Sequence, residues 1–291
     1  MSDGAHGVDV IEALIEALPQ VASAHAPSGP LHALLSQVAR DEVARRFGPE
    51  TDGQAPFGPF GPLAFPYTSM GSISSLHLFG LDELILFSFY RANRGRYRRV
   101  ADLGSNIGLH SLVLDRCGYE VRAFEPDPVH FDLLSRNLAA NGATHVTPAN
   151  VAVSIEDGEH EFVRVVGNTT GSHLSGAKAN PYGELERFTV RLVGVAPLLE
   201  WADLLKIDIE GHEAELLCAT TAAQWADTDA MVEIGTPENA RLVFDHFQRE
   251  GVHLFAQKIG WRRVTRVEDM PGGYVDGSLF ITRRDGVPWD A

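Results

Sequence analysis

The segment Val100-Ala-Asp-Leu-Gly-Ser-Asn-Ile-Gly-Leu-His-Ser111 constrains this chain more than any other. An apolar run meets a carboxylate, then two glycines, then a helical pattern, which reads as a strand turning into a helix around a ligand-binding loop. Gly104 permits a tight turn beside a ligand, and Gly108 permits close packing of the helix that follows. The spacing is GxxxG after an aspartate rather than GxGxxG. A dinucleotide fold holds a pyrophosphate on a bare helix N-terminus, whereas an anion at Asp102 repels phosphate and attracts an ammonium group.

The rest of the chain fits such a loop into a sheet. After a helix predicted over Asp82–Ala92, β-rich runs alternate with helical patterns at Arg99–Leu103, Glu120–Phe124, His145–Val153, Leu204–Ile209, Ala230–Ile234, His253–Gln257 and Ser278–Thr282. This alternation predicts an α/β fold with a doubly wound, mostly parallel sheet. A polar stretch from Glu159 to Val193 interrupts it. Its strand-like runs, Glu161–Val166 and Phe188–Leu192, predict a hairpin-like insertion beside the active-site edge.

Upstream, apolar residues recur at helical intervals over Val8–Leu18 and Leu31–Phe47, so two amphipathic helices are expected. The run Ala55–Pro66, rich in Pro, Gly and Phe, reads as an ordered linker whose Phe57, Phe60 and Phe65 need apolar partners. The expected division is an N-terminal helical appendage with its linker over residues 1–66 and a catalytic domain over 67–291. The appendage should pack on that domain or on a second copy, making a homodimer.

The formal charge is −15, from 39 acidic against 24 basic residues, and it disfavours nucleic acid as partner. The cluster Arg91, Arg94, Arg96, Arg98 and Arg99 follows a helical pattern and reads as a solvated helix end. Cys117 and Cys218 lie in apolar helical stretches, as reduced core thiols of a cytoplasmic protein do. Nowhere are there eighteen consecutive apolar residues, so no membrane span is expected.

Two further elements carry chemistry. Glu125 ends the strand after the Asp102 loop, where an acidic side chain accepts hydrogen bonds from ribose hydroxyls; as an alternative, Asp127 and Pro128 provide a helix cap there. The block Lys206-Ile-Asp-Ile-Glu-Gly-His-Glu213 is a strand that turns through Gly211 into a helix, so Asp208, Glu210 and His212 are expected around the reacting centre. His212 is the candidate general base, since an imidazole accepts a proton at neutral pH, with Asp208 and Glu210 next. The Gly167–His173 stretch suits either a pocket cover or a polar hairpin tip. Asp208, Glu210 and Glu233 could instead gather around Mg²⁺, although their spacing is no metal signature, and twelve histidines without an HxH or HxxxH pair give no zinc motif.

Together the DxGxNxGxxS-like loop at Asp102–Ser111 and the KIDxEGxE block at Lys206–Glu213 resemble the FkbM-type methyltransferases. Phe124-Glu125-Pro126, Asn150-Val-Ala-Val-Ser154 and Glu233-Ile234 extend the resemblance to about two-thirds of the chain. It implies a class I methyltransferase, Rossmann-like fold, with S-adenosylmethionine as methyl donor and S-adenosylhomocysteine as product. The reaction it implies is O-methylation of a small-molecule acceptor such as a sugar or natural product. The expected donor-binding residues are Asp102, Gly104, Ser105, Asn106, Gly108, Glu125, Pro126, Asn150, Val151 and Asp208. Ser105 stands where alanine is usual in such families.

Overall fold

The computed structural model describes residues 9–178 and 183–289. The start of the expected first helix at Val8, and residues 179–182 of the expected insertion, lie outside them.

Helix α1 (Val10–Ala17) is capped by Asp9, whose carboxylate accepts from the Glu12 amide. Helix α2 (Pro30–Phe47) opens on a proline, which has no amide to leave unpaired there. The linker is ordered, as expected. Strands β1 (Gln54–Pro56) and β2 (Pro62–Ala64) pair antiparallel around a short turn, and Phe57, Phe60 and Phe65 are all buried. Phe47 stacks on Phe79 at 4.9 Å between ring centroids, while Phe57 meets Phe79 and Phe87 edge-on. Phe87 lies on helix α3 (Leu81–Ala92). The N-terminal segment therefore shares one apolar core with the helices that cover the sheet. Each such aromatic stabilises the fold by about 1.5–3 kcal/mol on burial.

Strand β3 (Arg99–Leu103) leads to α4 (Leu109–Arg116), β4 (Glu120–Phe124), α5 (Pro128–Ala140) and β5 (Val146–Ala149). The insertion follows as a second sheet, made of β6 (Ala152–Ser154), β7 (Gly158–Val165), β8 (His173–Leu174) and β9 (Leu185–Gly194). Strands β7 and β9 form the expected antiparallel pair. The main sheet resumes with α6 (Ala196–Trp201), β10 (Leu204–Ile207), α7 (Glu213–Cys218), β11 (Asp229–Val232), α8 (Pro237–Glu250), β12 (His253–Ala256), β13 (Arg262–Arg263) and β14 (Leu279–Thr282).

The order across the main sheet is β13-β12-β14-β11-β10-β3-β4-β5. Strands β11, β10, β3, β4 and β5 are parallel neighbours, and β14 runs antiparallel between β11 and β12. Both faces are covered, and strand alternation shows how. Val100, Val121, Leu204, Met231 and Phe280 join the core under α3, α4 and α5. Their neighbours Ala101, Leu205, Ala230, Val232 and Ile281 join the core under α6, α7 and α8. The sheet is doubly wound, as the alternation predicts. No described helix is long and apolar enough to cross a membrane.

One expected strand is corrected. The run His145–Val153 does not form one strand: β5 ends at Ala149, and β6 belongs to the second sheet, parallel to β9. Asn150 causes the break, because its side-chain amide donates to the carbonyls of Glu125 and Pro126 and turns the chain away.

Candidate active site

The sheet order reverses between β3 and β10, so the loops leaving these two strands open a crevice at the carboxyl edge. Gly104, at φ +78°, is the tightest point of that crevice. A Cβ there would lie 1.8 Å from the Asp208 carbonyl oxygen, so only glycine lets the two loops touch. Gly108 serves packing instead: a Cβ would press on Leu134 of α5. Ser105 is buried and donates to the Asp102 carbonyl, while the Phe124 amide donates to its hydroxyl. This serine thus pins the loop to β4, a role alanine could not fill.

Glu125 is oriented by backbone on both sides. The Asn106 amide donates to Oε2 and the Asp127 amide to Oε1, each at 2.8 Å. Burial raises the carboxyl to about 8, helped by the Asp127 charge and opposed by the two amides. A raised carboxyl contributes stability that is complete below the unfolded value near 4.5 and is lost as pH rises through about 8. The melting temperature of the wild type is therefore expected to fall between about pH 4.5 and about pH 8, and that of Glu125→Gln to fall less. Parallel calorimetric curves for the two proteins would refute this.

A first cavity opens between Gly104, Asn106, Glu125 and Pro126 on one wall and Asp208, Ile209 and Glu210 on the other. The insertion roofs it with Phe162, Thr169, Thr170, Ser172 and Leu174. Thr169, Thr170 and Ser172 belong to the Gly167–His173 stretch, and their place in the lining favours the covering role over a simple hairpin tip. The roof is tied down by Arg164, whose guanidinium donates twice to Asp127 at 2.6 Å. Asp127 also caps α5 through the Val129 and His130 amides.

A second cavity lies on the other side of Asp208, between α3 and the ends of β10 and β11. It is lined by Asp82, Glu83, Lys206, Asp208, Glu233 and Tyr274, among others. Lys206 is buried and reaches the Gly104 carbonyl at 3.2 Å, Asp208 at 3.3 Å and Asp102 at 3.8 Å. Burial alone would lower its ammonium, but Asp208, Asp102, Glu83 and Glu233 hold it above the usual lysine value. Glu210, at φ +54°, accepts from Lys178 at 2.6 Å and from Tyr274 at 3.0 Å. Burial, then repulsion from Asp208, raises it to about 7.

Three expected placements are corrected. His212 does not face the crevice. It precedes α7 with its imidazole turned onto Ser154 of β6 at 3.0 Å and Glu215 at 3.3 Å, because Gly211, at φ +106°, swings the chain away after Glu210. Asp102 lines neither cavity. It is fully buried, accepts from Ser111 at 2.6 Å through Oδ2, and leaves Oδ1 without a hydrogen bond. Asn150 and Val151 stand behind the wall, and Ala152 and Val153 line it instead. Nor do Asp208, Glu210 and Glu233 form a metal cage: among the described residues no group of three or more His, Cys, Asp or Glu side chains is arranged to hold a metal ion.

Residues 102–246, which contain both sequence blocks, match the model of the methyltransferase FkbM domain. The chain is similar to methyltransferase sdnD of Sordaria araneosa, at 32% identity over 49% of this chain and 68% of that protein. It is similar to the hexuronic acid methyltransferase AglP of Haloferax volcanii at 31% identity, over 46% of this chain and 54% of that one. Methyltransferase 1 of Beauveria bassiana is 25% identical over 46% of this chain and 62% of its own length. The matched segment carries the Gly104 crevice, the Glu125 turn and the Lys206–Glu213 block, and the chain belongs to the FkbM methyltransferase family.

Proposed function

We propose that this chain transfers a methyl group from S-adenosylmethionine to a hydroxyl oxygen of a small molecule, such as a sugar or natural product. The observation that carries the reading is the meeting of two cavities at Asp208, one walled by the glycine loop and Glu125, the other open toward α3. The residues fit a nucleoside-bearing donor. Gly104 lets the glycine loop lie against the Asp208 backbone at the cavity wall, and both oxygens of Glu125 are aimed by backbone amides. Glu125 would hold the ribose hydroxyls, Asn106 and Pro126 would flank them, and Ala152 and Val153 would offer an apolar wall to the base. When bound, S-adenosylmethionine supplies an electrophilic methyl group.

The protein's own task is alignment and proton removal. Asp208, shared by both cavities, stands where donor and acceptor would meet. Glu210, raised to about 7, is matched to accept a hydroxyl proton at neutral pH. Lys206 fixes the Asp208 carboxylate, and Lys178 and Tyr274 fix Glu210. With His212 turned onto Ser154, the role of base passes to these carboxylates.

S-adenosylhomocysteine at a hundredfold excess over its Kd should stabilise the protein by about 2.7 kcal/mol, whereas NAD should not shift its melting temperature. Glu125→Ala should weaken that binding by about 1–3 kcal/mol, the cost of leaving the buried ribose hydroxyls without their hydrogen-bond partner. No thermal shift with S-adenosylhomocysteine, or equal affinity in the variant by calorimetry, would remove the reading.

A further inference from the structure

The roof of the first cavity meets its floor at two places. At one end Arg164 is paired with Asp127, and the Thr169 hydroxyl lies 2.9 Å from His130 Nε2 on α5. At the other end the contact falls on Glu210 itself. The Lys178 ammonium donates to Glu210 Oε2 at 2.6 Å and to the Gly171 carbonyl at 3.2 Å, and Gly171 stands between Thr170 and Ser172, which both line the cavity. The backbone here is seated as closely: a Cβ on Gly211 would lie 3.1 Å from the Ala177 carbonyl oxygen and 3.6 Å from Lys178 Cγ. Glu210 keeps φ +54° beneath this contact, a conformation that a side-chain-bearing residue holds only where its surroundings fix it.

One ammonium thus holds both the roof over the donor cavity and the carboxylate assigned as base. We propose that Lys178 is a positioning residue that couples donor binding to the ionisation of Glu210, so that a donor seated under the roof readies the base. The proposal rests on the methyltransferase reading and adds the regulation of its site. A group that fills the cavity between Glu125, Thr170 and Ser172 secures the roof, and the secured roof keeps Lys178 on Glu210. The pair is largely covered, at 27% and 22% exposed, so water and salt screen it less than a surface bridge. The charges around Glu210 set the sign. After burial, Asp208 favours its neutral form, whereas Lys178 and the Tyr274 hydroxyl favour the anion, and Glu233 and Glu210 repel each other. Behind these, Lys206 pairs with Asp208, and Glu213 accepts from the Gly211 amide. Closing Lys178 onto Glu210 therefore releases a proton to solvent, and by reciprocity the donor binds more tightly where Glu210 is already ionised.

S-adenosylhomocysteine is the probe. Its affinity, measured by calorimetry, should rise between about pH 6 and about pH 9, and the rise should be about fivefold smaller in Lys178→Met. Glu125 and the ligand's own amine contribute alike to both proteins, so the difference reports Lys178. At neutral pH, calorimetry in buffers of unequal ionisation heat should find more protons released on binding by the wild type than by Lys178→Met. Binding should also slow backbone hydrogen exchange over residues 171–178 in the wild type, and less in Lys178→Met. Lys178→Arg, which keeps the charge, should behave as the wild type. Glu210→Gln removes the titrating group and keeps its size; it should match Lys178→Met in affinity and proton release, and it carries the comparison if that variant fails to fold. Equal rises, or equal proton release, in the wild type and the two variants would overturn the proposal. Failure of the wild type to bind S-adenosylhomocysteine would instead overturn the methyltransferase reading on which it rests.

Discussion

Lys206→Met destabilises the protein by about 3–5 kcal/mol, the range for removing one partner of a buried ion pair. Methionine keeps the side chain's length and apolar stem, so little packing is lost. What is lost is the cation that, among the described residues, pairs with two carboxylates: Asp102, fully buried with Oδ1 already lacking a hydrogen bond, and Asp208 at 3.3 Å. The Gly104 carbonyl also loses its donor. Urea denaturation should show the change as a lower midpoint with an unaltered slope. Adding Asp102→Asn should restore part of the loss, because the amide carries no uncompensated charge. A single variant that unfolds at the wild-type midpoint would show that Lys206 does not hold the crevice together.

Gly104→Ala is comparable in size. Its backbone sits at φ +78°, which costs a side-chain-bearing residue about 1–3 kcal/mol. The added methyl would lie 1.8 Å from the Asp208 carbonyl oxygen, and relieving such overpacking costs about 1–3 kcal/mol more. The expected loss is therefore about 2–6 kcal/mol. Because the obstacle is backbone, the Asp208 loop must retreat, and affinity for S-adenosylhomocysteine should be lost with the stability. Gly142→Ala offers a control: it also has positive φ, but a Cβ there meets nothing within 4 Å. It should show strain without loss of binding. If Gly104→Ala binds S-adenosylhomocysteine as the wild type does, the two loops are not in the contact described.

Periodicity in the sequence marks the strands and helices well, because fully buried parallel strands and amphipathic helices leave strong local patterns. The strand ends are less legible. Asp208 and Glu210 follow β10 rather than belonging to it, and the positive φ at Glu210 and Gly211 then directs His212 away from the crevice. Sequence spacing places His212 near the site but carries no information about that rotation. Asp102 shows the same limit: its place at the end of β3 is readable, but its inward turn depends on Ser111 and Lys206, nine residues and a whole crossover away. The second cavity is hidden for a related reason. Asp82 and Glu83 read as ordinary first-turn helix acids, favoured by the helix dipole, and only the packing of α3 across the sheet edge brings them beside Glu233. Arg164 and Lys178 are likewise unmarked in the sequence, since a basic residue in a polar insertion has no motif until Asp127 and Glu210 receive it.

Strand β14 also sets an order of assembly. It lies between β11 and β12 in the sheet although it follows both in the chain, running antiparallel to each. Until Leu279–Thr282 is synthesised, β11 presents an open edge in the middle of the future sheet, and β12 has no place to dock. Pairings this distant in sequence close slowly, and an exposed apolar edge invites other chains during the delay. On the ribosome the Gly104 crevice can form from β3, β4 and β10 well before the sheet is complete. The vulnerable interval in the life of this protein is the time between the emergence of β11 and the arrival of β14, when a chaperone has most to protect.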